Sequence, residues 1–427
     1  MAARAVVQRE GYRDLLLGQA VSAFGDWMGT VALMALVLDL TGSATAVGVI
    51  LVLRLLPAGF AGPVAAGVAD RWDRRRIMLA CDLVRAGLVS LIPFVRAAWW
   101  VFLWAFLLEG ASLVFLPARD ASVPDLVDEQ DLPTANGLIL ASSYGNLPLG
   151  AGAFALLSLV PAGRGSFLGQ HPNALAFWVD ALTFLVSFLL IRRLAALGPA
   201  AGRAAGGETR PPGGGTGFRD ALRLPVVRAV MPAAGIAMLG IGALFSLGVV
   251  YVRQVLHAST GQFGGLVALF GVGGALGWAA LQRLSHGTPT LGTVKAAIAA
   301  MGAVLAGMSL ASNLVLAYAA AVPFGAAGAA ALVGSVTYLQ ETLAGERRML
   351  GLAVFHAVLR IGMSVAAIGG ALLAQALAPV RLPWVGRVQP PAVVLFGAGL
   401  AMIGGATIMP RRLLPGRRPQ QEQEAGT

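Results

Sequence analysis

The chain has 427 residues, of which 57% are hydrophobic and only 12% are charged, and its mean hydropathy is +0.77. These values exclude a soluble globular domain and predict a membrane protein. The formal net charge of +11 does not indicate nucleic-acid binding, because the arginines are spread over many loops rather than gathered on one basic domain. Lipid headgroups are the simpler partners for them.

Twelve apolar runs follow one another along the chain, each close to the length of about 20 residues that a helix needs to cross a bilayer. We number them spans 1 to 12. They cover residues 13–38, 45–69, 77–95, 98–118, 137–160, 173–191, 229–252, 260–281, 291–311, 313–338, 349–377 and 391–409. The pattern predicts an all-α polytopic membrane protein with twelve transmembrane helices.

The basic residues indicate which side of the membrane each loop faces. If the N-terminus is cytoplasmic, the cytoplasmic segments hold 23 of the 31 Lys and Arg residues, and the outer loops hold five. This asymmetry predicts that both termini are cytoplasmic. We expect the protein to lie in the plasma membrane, the cell inner membrane. The N-terminal apolar stretch has span length and lacks a clear cleavage site, so we expect it to be retained as span 1.

The spans divide into two groups of six. A segment rich in Gly, Ala and Pro interrupts the apolar pattern between spans 6 and 7, which is typical of a linker. The segment leading into span 5 also resembles the segment leading into span 11, as duplicated transporter halves do. We therefore predict an N-terminal bundle (1–194), a cytoplasmic linker (195–225), a C-terminal bundle (226–412) and a disordered tail (413–427).

The loop between spans 2 and 3 carries the motif that suggests a family. Residues 67–76 read "GVADRWDRRR" and resemble the loop motif G-x-x-x-D-R-x-x-R-R of the major facilitator superfamily in sequence and in position. The segments "NALAFWVDALTFLVSF" and "YLQETLAGERRMLG" resemble its siderophore (enterobactin) exporter and macrolide efflux branch. The resemblance implies the major facilitator fold, in which two pseudo-symmetric six-helix bundles rock about a central site.

The resemblance also implies that this loop is a cytoplasmic gate that locks one conformation. Apart from the resemblance, Asp70 could lie near a helix N-terminus or pair with a basic group such as Arg119. An alternative stays open, because the same arginines could simply anchor the loop to anionic lipids. The equivalent loop between spans 8 and 9 reads "LQRLSHGTPTLGTVK" and has lost the charged pattern, so we expect no symmetric lock. The candidate gate residues are Gly67, Asp70, Arg71, Arg74, Arg75 and Arg119.

Charged residues inside the spans are the candidates for function, since each costs about 2.5 to 3.5 kcal/mol at a helix centre. The family resemblance implies that spans 1, 4, 7 and 10 line the transport cavity. Asp26 on span 1 and Glu109 on span 4 are therefore candidates for binding protons or a cationic substrate, although Asp26 could instead support local packing. The seven candidates are the charged residues away from the span ends, namely Asp26, Arg54, Asp82, Arg85, Glu109, Asp180 and Arg360.

The arginines allow two interpretations. Arg54 and Arg360, on spans 2 and 11, could bind an anionic group, or each could pair with a carboxylate, Asp26 with Arg54 first. Asp82 and Arg85 are three residues apart on one helix face and can neutralise each other. We interpret this pair, together with Asp180 on span 6, as structural.

Spans 7 and 10 carry no charge and offer apolar and aromatic side chains instead. We predict that these side chains form a cavity wall opposite the acidic one, which would suit amphipathic, cationic substrates. The predicted wall consists of Met238, Phe245, Tyr318, Phe324 and Tyr338.

Together these features predict a secondary transporter that exports drug-like or siderophore-like amphipathic molecules by alternating access. Uptake or flipping of a nutrient or lysolipid by the same fold is the alternative, because coupling rather than fold sets the direction. The sequence shows no nucleotide-binding motif, no metal-ligand spacing around its scattered histidines and single Cys81, and no catalytic constellation. We expect no cofactor beyond a proton gradient, no enzyme activity, a small-molecule substrate, contacts with membrane lipids and a monomer.

Overall fold

The structure, a computed structural model, is almost entirely helical. It describes residues 2–55, 68, 71–94, 97–161, 163, 166–171, 173–195, 197, 223–284, 291–311, 313–343, 345–382 and 386–408. The helices in the first half of the chain are α1 (Ala2–Val7), α2 (Glu10–Thr41), α3 (Ala44–Leu55), α4 (Arg74–Leu91), α5 (Ala98–Leu126), α6 (Leu132–Tyr144), α7 (Leu147–Leu157), α8 (Phe167–Gln170) and α9 (Ala174–Ile191). Those in the second half are α10 (Pro225–Gln254), α11 (Thr260–Leu284), α12 (Leu291–Ser309), α13 (Leu314–Thr342), α14 (Gly345–Ala376) and α15 (Pro390–Ile408).

Ten helices in the described part of the chain are long and apolar enough to cross a membrane. They correspond to ten of the twelve predicted spans and confirm the polytopic helical class. Span 2 appears as the 12-residue apolar helix α3, beyond which the chain lies outside the described residues. Span 5 appears as two consecutive helices, α6 and α7, so the count of twelve continuous helices stays a prediction.

Span 5 was expected to be continuous over residues 137–160, but it is interrupted at residues 145–146. Pro148 follows the break and has no backbone N–H to donate to the preceding turn. Two side chains satisfy the carbonyl groups beside it. Asn146 Nδ2 donates to the Ser142 carbonyl at 2.6 Å, and Trp27 Nε1 donates to the Ser143 carbonyl at 2.8 Å. The break is therefore a stable feature bonded to α2.

Polar residues in the loops decide where several helices begin and end. Gly42 adopts a left-handed conformation with φ 61° after α2, and its N–H donates to the Leu38 carbonyl. Asp73 precedes α4, and its carboxylate accepts a hydrogen bond of 2.8 Å from the Arg76 N–H. Such caps explain why the helices extend beyond the apolar runs that predicted them.

A short β-hairpin, not predicted from the sequence, connects α14 and α15. Strands β1 (Val380–Leu382) and β2 (Gly386–Val388) pair antiparallel, with Val380 opposite Val388. A three-residue strand carries too weak an alternation to be recognised in a loop sequence.

The two bundles contact each other along α3 with α14 and along α7 with α11. We call the end of the molecule where α2 and α10 finish the far end, and the opposite end the near end. At the far end, Arg253 Nη1 lies 3.0 Å from Asp39 Oδ1, and Gln375 Nε2 donates to Ser43 Oγ at 2.8 Å. Gly48 on α3 packs directly against α14. The bundles are therefore joined at the far end.

Most of the predicted linker and the entire predicted tail lie outside the described residues. The described helices on either side of the linker are α9, which ends at Ile191, and α10, which begins at Pro225. The domain boundaries stay predictions.

Candidate functional site

All seven candidate charged residues lie in described helices, and the fold brings most of them together in the N-terminal bundle. Asp26 on α2 is the centre of this cluster. Arg54 Nη2 from α3 lies 3.5 Å from Asp26 Oδ1, and Arg85 Nη1 from α4 lies 3.9 Å from Asp26 Oδ2. The predicted pairing of Asp26 with Arg54 is therefore present, and Arg85 is a second cation beside the same carboxylate.

Arg54 is held in place by a second contact. Its Nη1 donates to Thr30 Oγ1 at 2.6 Å, and that hydroxyl donates to the Asp26 backbone carbonyl at 2.6 Å. One turn of α2 thus presents both a carboxylate and a hydroxyl to the same guanidinium. The arrangement favours the interpretation that Arg54 is a partner of Asp26 over a role as a free anion-binding group.

Asp82 and Arg85 on α4 form the predicted intrahelical pair through Arg85 Nη2 and Asp82 Oδ1. The Arg85 guanidinium also lies between two aromatic rings, 4.3 Å from the Phe115 centroid and 4.4 Å from the Phe184 centroid. Cation–π contacts of this kind stabilise a desolvated guanidinium. The pair is fully inside the bundle, which agrees with a structural role.

Asp180 on α9 lies against α2 at two glycines. A β-carbon at Gly25 or Gly29 would overlap with the Asp180 carboxylate, so the lack of side chains there creates its space. Sequence reasoning treated Asp180 as an isolated structural residue. The i, i+4 spacing of the two glycines was the available signal for a neighbour on that face of α2.

Glu109 on α5 and Arg360 on α14 differ from the other charged residues. Both are partly exposed, and among the described residues neither has a hydrogen bond or an ion pair within 4 Å. They are not isolated electrostatically, because Arg54, Arg360 and Arg85 all attract the Glu109 carboxylate. The site therefore contains two partly exposed charges of opposite sign, one from each bundle, that form no ion pair among the described residues.

Part of the predicted gate lies in the described structure. Arg74 is buried, and it donates to the Asp125 carboxylate and to the Ala121 carbonyl of α5. Arg75 Nη2 donates to the Arg192 carbonyl at 2.5 Å. These contacts fasten α4 to α5 and to the end of α9, within one bundle.

The remaining gate residues give a mixed outcome. Gly67 and Asp70 lie outside the described residues, and Arg71 is exposed. Arg119, which we expected beside Asp70, binds its own neighbour Asp120, with Arg119 Nη2 2.7 Å from Asp120 Oδ1. The switching role of the loop stays a prediction.

Three of the five residues of the predicted cavity wall are buried, and their role in lining a transport cavity stays a prediction. Phe324, Phe245 and Met238 are 0%, 7% and 8% exposed, and they pack among the helices of the C-terminal bundle. Apolar composition alone does not tell a cavity-lining face from a buried one, since both consist of the same residue types.

The two tyrosines of the predicted wall are partly exposed. The Tyr318 hydroxyl donates to the Gln262 carbonyl of α11 at 2.8 Å, and Gly265 gives its ring room. Tyr338 lies near the near end of α13. A role of either tyrosine in lining a cavity stays a prediction.

In the described part of the chain, no three His, Cys, Asp or Glu side chains are grouped so that they could hold a metal ion. The arrangement is therefore a set of carboxylates and guanidinium groups at mid-span. Such a set can bind protons or charged substrate groups, because its charges interact strongly in a medium of low dielectric constant.

Comparison with known proteins identifies relatives among transporters. Macrolide efflux protein A of Streptococcus pyogenes is 30% identical over 125 residues, which cover 28% of this chain and 31% of that protein. The uncharacterized MFS-type transporter YfiS of Bacillus subtilis (strain 168) is 24% identical over 184 residues, which cover 43% of this chain and 42% of that protein. The chain thus matches less than half of the length of these two relatives.

The fold is also similar to solved transporter structures. The nucleoside transporter NupG has a TM-score of 0.69 at 12% identity, covering 94% of this chain and 98% of that one. A bacterial homolog to the human lysosomal transporter Spinster, in an inward-facing and unoccupied conformation, has a TM-score of 0.69 at 15% identity, covering 95% and 94%. The profile of the Major Facilitator Superfamily matches residues 15–314. The chain therefore belongs to the Major Facilitator Superfamily and is a multi-pass membrane protein with the fold of that superfamily.

Proposed function

We propose that this transporter exports amphipathic, cationic small molecules across the plasma membrane in exchange for protons, by alternating access. The observation that carries the proposal is the position of Glu109 and the charges around it. It is a partly exposed carboxylate in the middle of a span, it has no ion pair within 4 Å among the described residues, and three arginines attract it. A carboxylate kept at such a depth at a cost in free energy is expected to bind a charged ligand.

Asp26 is a weaker candidate for that role. Its two carboxylate oxygens face Arg54 and Arg85, so a cationic ligand would have to compete with two fixed guanidinium groups. We therefore assign ligand binding to Glu109 and positioning of the two arginines to Asp26. The macrolide efflux protein among the relatives supports export over uptake.

The proposed orientation of the protein in the membrane follows from the distribution of its basic residues. With the near end in the cytoplasm, Arg74, Arg75 and the arginines that follow α9 lie on the inner side, in accord with the positive-inside rule. The far end, where Arg253 joins Asp39, is then closed toward the outside. In this orientation the exposed arginines contact anionic headgroups of the inner leaflet.

Transport in liposomes tests the proposal. The purified chain is reconstituted, a pH gradient is imposed, and the movement of a panel of fluorescent amphipathic cations is followed together with internal pH. We expect substrate and protons to move in opposite directions, and accumulation to stop when a protonophore collapses the gradient. Glu109→Gln should reduce accumulation of the cations to the level of protein-free liposomes.

A matched control is Glu129→Gln, which removes an exposed carboxylate in the loop before α6 and should leave transport unchanged. Accumulation that persists in the presence of the protonophore would overturn the proton coupling. Movement of substrate and protons in the same direction would instead favour uptake of a nutrient, and movement of a lysolipid analogue alone would favour flipping.

A further inference from the structure

The carboxylates at mid-span outnumber the arginines. The mid-span candidates comprise four carboxylates, Asp26, Asp82, Glu109 and Asp180, and three arginines, Arg54, Arg85 and Arg360. An uncompensated charge in the bilayer is expensive, and a carboxyl group in that position becomes neutral by binding a proton. The local contacts of each carboxylate indicate which one holds that proton.

Two of the four carboxylates have a cation within 4 Å. Asp26 lies within 4 Å of two arginines, and Asp82 is bonded directly to Arg85. Glu109 and Asp180 have no ion pair within 4 Å among the described residues, but Glu109 is partly exposed, whereas Asp180 is only 3% exposed. The environment of Asp180 therefore offers the least support to a negative charge.

The hydrogen bonds around Asp180 lead to the same conclusion. Thr183 Oγ1 is 3.5 Å from Asp180 Oδ1, but its one hydroxyl hydrogen is directed to the Asp180 backbone carbonyl at 2.6 Å. Gly25 and Gly29 supply only α-carbons to the space around the carboxylate. A buried carboxylate without strong donors is disfavoured relative to the neutral acid.

We propose that Asp180 holds the coupling proton of this transporter in the space that Gly25 and Gly29 of α2 leave open. The assignment rests on the proposed proton-coupled function, and it leaves Glu109 free for the substrate cation. The charged groups that interact with Asp180 are Asp26 on α2, Arg54 on α3 and Arg85 on α4, and Arg85 is itself paired with Asp82.

A small cavity of about 10 Å³ lies beside this carboxyl group. It is lined by Asp180, Asp26, Gly29 and Arg54 among others. On release, the O–H bond of Asp180 breaks, the proton passes to a water molecule that reaches the carboxyl group when the cavity opens, and the carboxylate left behind is attracted by Arg54 and Arg85. A movement of α2 against α9 would change access to this cavity, because Gly25 and Gly29 of α2 pack directly against the Asp180 carboxylate of α9.

Infrared spectroscopy of the purified chain tests the protonation state without any transport. The carbonyl stretch of a protonated carboxyl group is separate from that of a carboxylate, and carboxyl-¹³C labelling of aspartate distinguishes Asp180 from Glu109. We expect one ¹³C-sensitive protonated band in the wild type at neutral pH, and its loss in Asp180→Asn. Absence of an aspartic acid band in the wild type, or its persistence in Asp180→Asn, would overturn the proposal.

Stability and transport complete the test. Since the amide is a neutral isostere of the protonated acid, Asp180→Asn should keep the thermal midpoint of the wild type, whereas Asp82→Asn should lower it by leaving Arg85 without its closest partner. Asp180→Asn should also bind substrate and exchange it downhill but lose accumulation driven by the pH gradient. Full accumulation in this variant would overturn the coupling role. Insensitivity of the wild type to a pH gradient would instead refute the proposed function, and the infrared band would still report on Asp180.

Discussion

Arg253→Gln removes the cation of the ion pair that joins the two bundles at the far end. Arg253 Nη1 and Asp39 Oδ1 are 3.0 Å apart, and the side chains are 40% and 32% exposed. A partly exposed pair of this kind contributes about 0.2 to 1 kcal/mol, because water screens the attraction. If alternating access opens the far end, this contribution stabilises only the closed state. Its loss should raise the ratio of open to closed molecules by a factor of about 1.4 to 5.

Distances between spin labels at the far end measure that ratio. Cysteines placed at the exposed positions Leu159 and Leu377 put one label on each bundle, and the native Cys81 is buried. Arg253→Gln should increase the population of long distances, and the exchanged pair Asp39→Arg with Arg253→Asp should restore the wild-type distribution.

The control for this experiment is Arg387→Gln, which removes an exposed far-end arginine of the β-hairpin and should leave the distances unchanged. Identical distance distributions in the wild type and Arg253→Gln would refute the reasoning. Additive effects of Asp39→Asn and Arg253→Gln in the double variant would also refute it, because two side chains that interact show a coupling free energy in a double-mutant cycle.

Two further predictions concern the near end. Arg74→Gln leaves the Asp125 carboxylate, whose side chain is 14% exposed, without its guanidinium partner and should cost about 3 to 5 kcal/mol, seen as a lower thermal midpoint in detergent. Arg9 holds the pKa of the exposed Asp128 carboxyl below its ordinary value of 3.8 by hydrogen bonding to the charged form. The contact therefore stabilises the attachment of α1 at pH values above 3.8, and this stabilisation is lost as the pH falls through the lowered pKa. At neutral pH, Asp128→Asn should remove the contact and speed proteolysis of the N-terminal segment.

Each near-end prediction has a control. Arg71→Gln removes an exposed arginine of the same loop, and its thermal midpoint should equal that of the wild type. An equally small effect of Arg74→Gln would mean that Arg74 only anchors the loop to lipid. For the N-terminal segment, Glu129→Gln removes a neighbouring exposed carboxylate that makes no contact with Arg9 among the described residues. A proteolysis rate in Asp128→Asn equal to that of this control would contradict the attachment.

The sequence by itself determined the class of the protein and the positions of its helices. The cost of exposing backbone polar groups in lipid forces an apolar run of span length to become a helix, so local composition was sufficient. It also predicted the ion pair of Asp82 and Arg85, since two residues that are three positions apart lie on one helix face. The break in span 5 just before Pro148 could also have been predicted, because proline lacks the backbone N–H that a continuous helix needs there, although the predicted span ran through it.

Tertiary structure alone decided which neighbour each of the other charges has. Arg85 contacts both Asp82 and Asp26, and the glycines that make room for Asp180 are about 150 residues away from it in the sequence. The same holds for Phe324, which has the composition of a cavity wall and is fully buried. The reason is that the rotation of a helix about its own axis depends on packing against helices distant in the chain, and an almost uniformly apolar span carries little local information about that rotation.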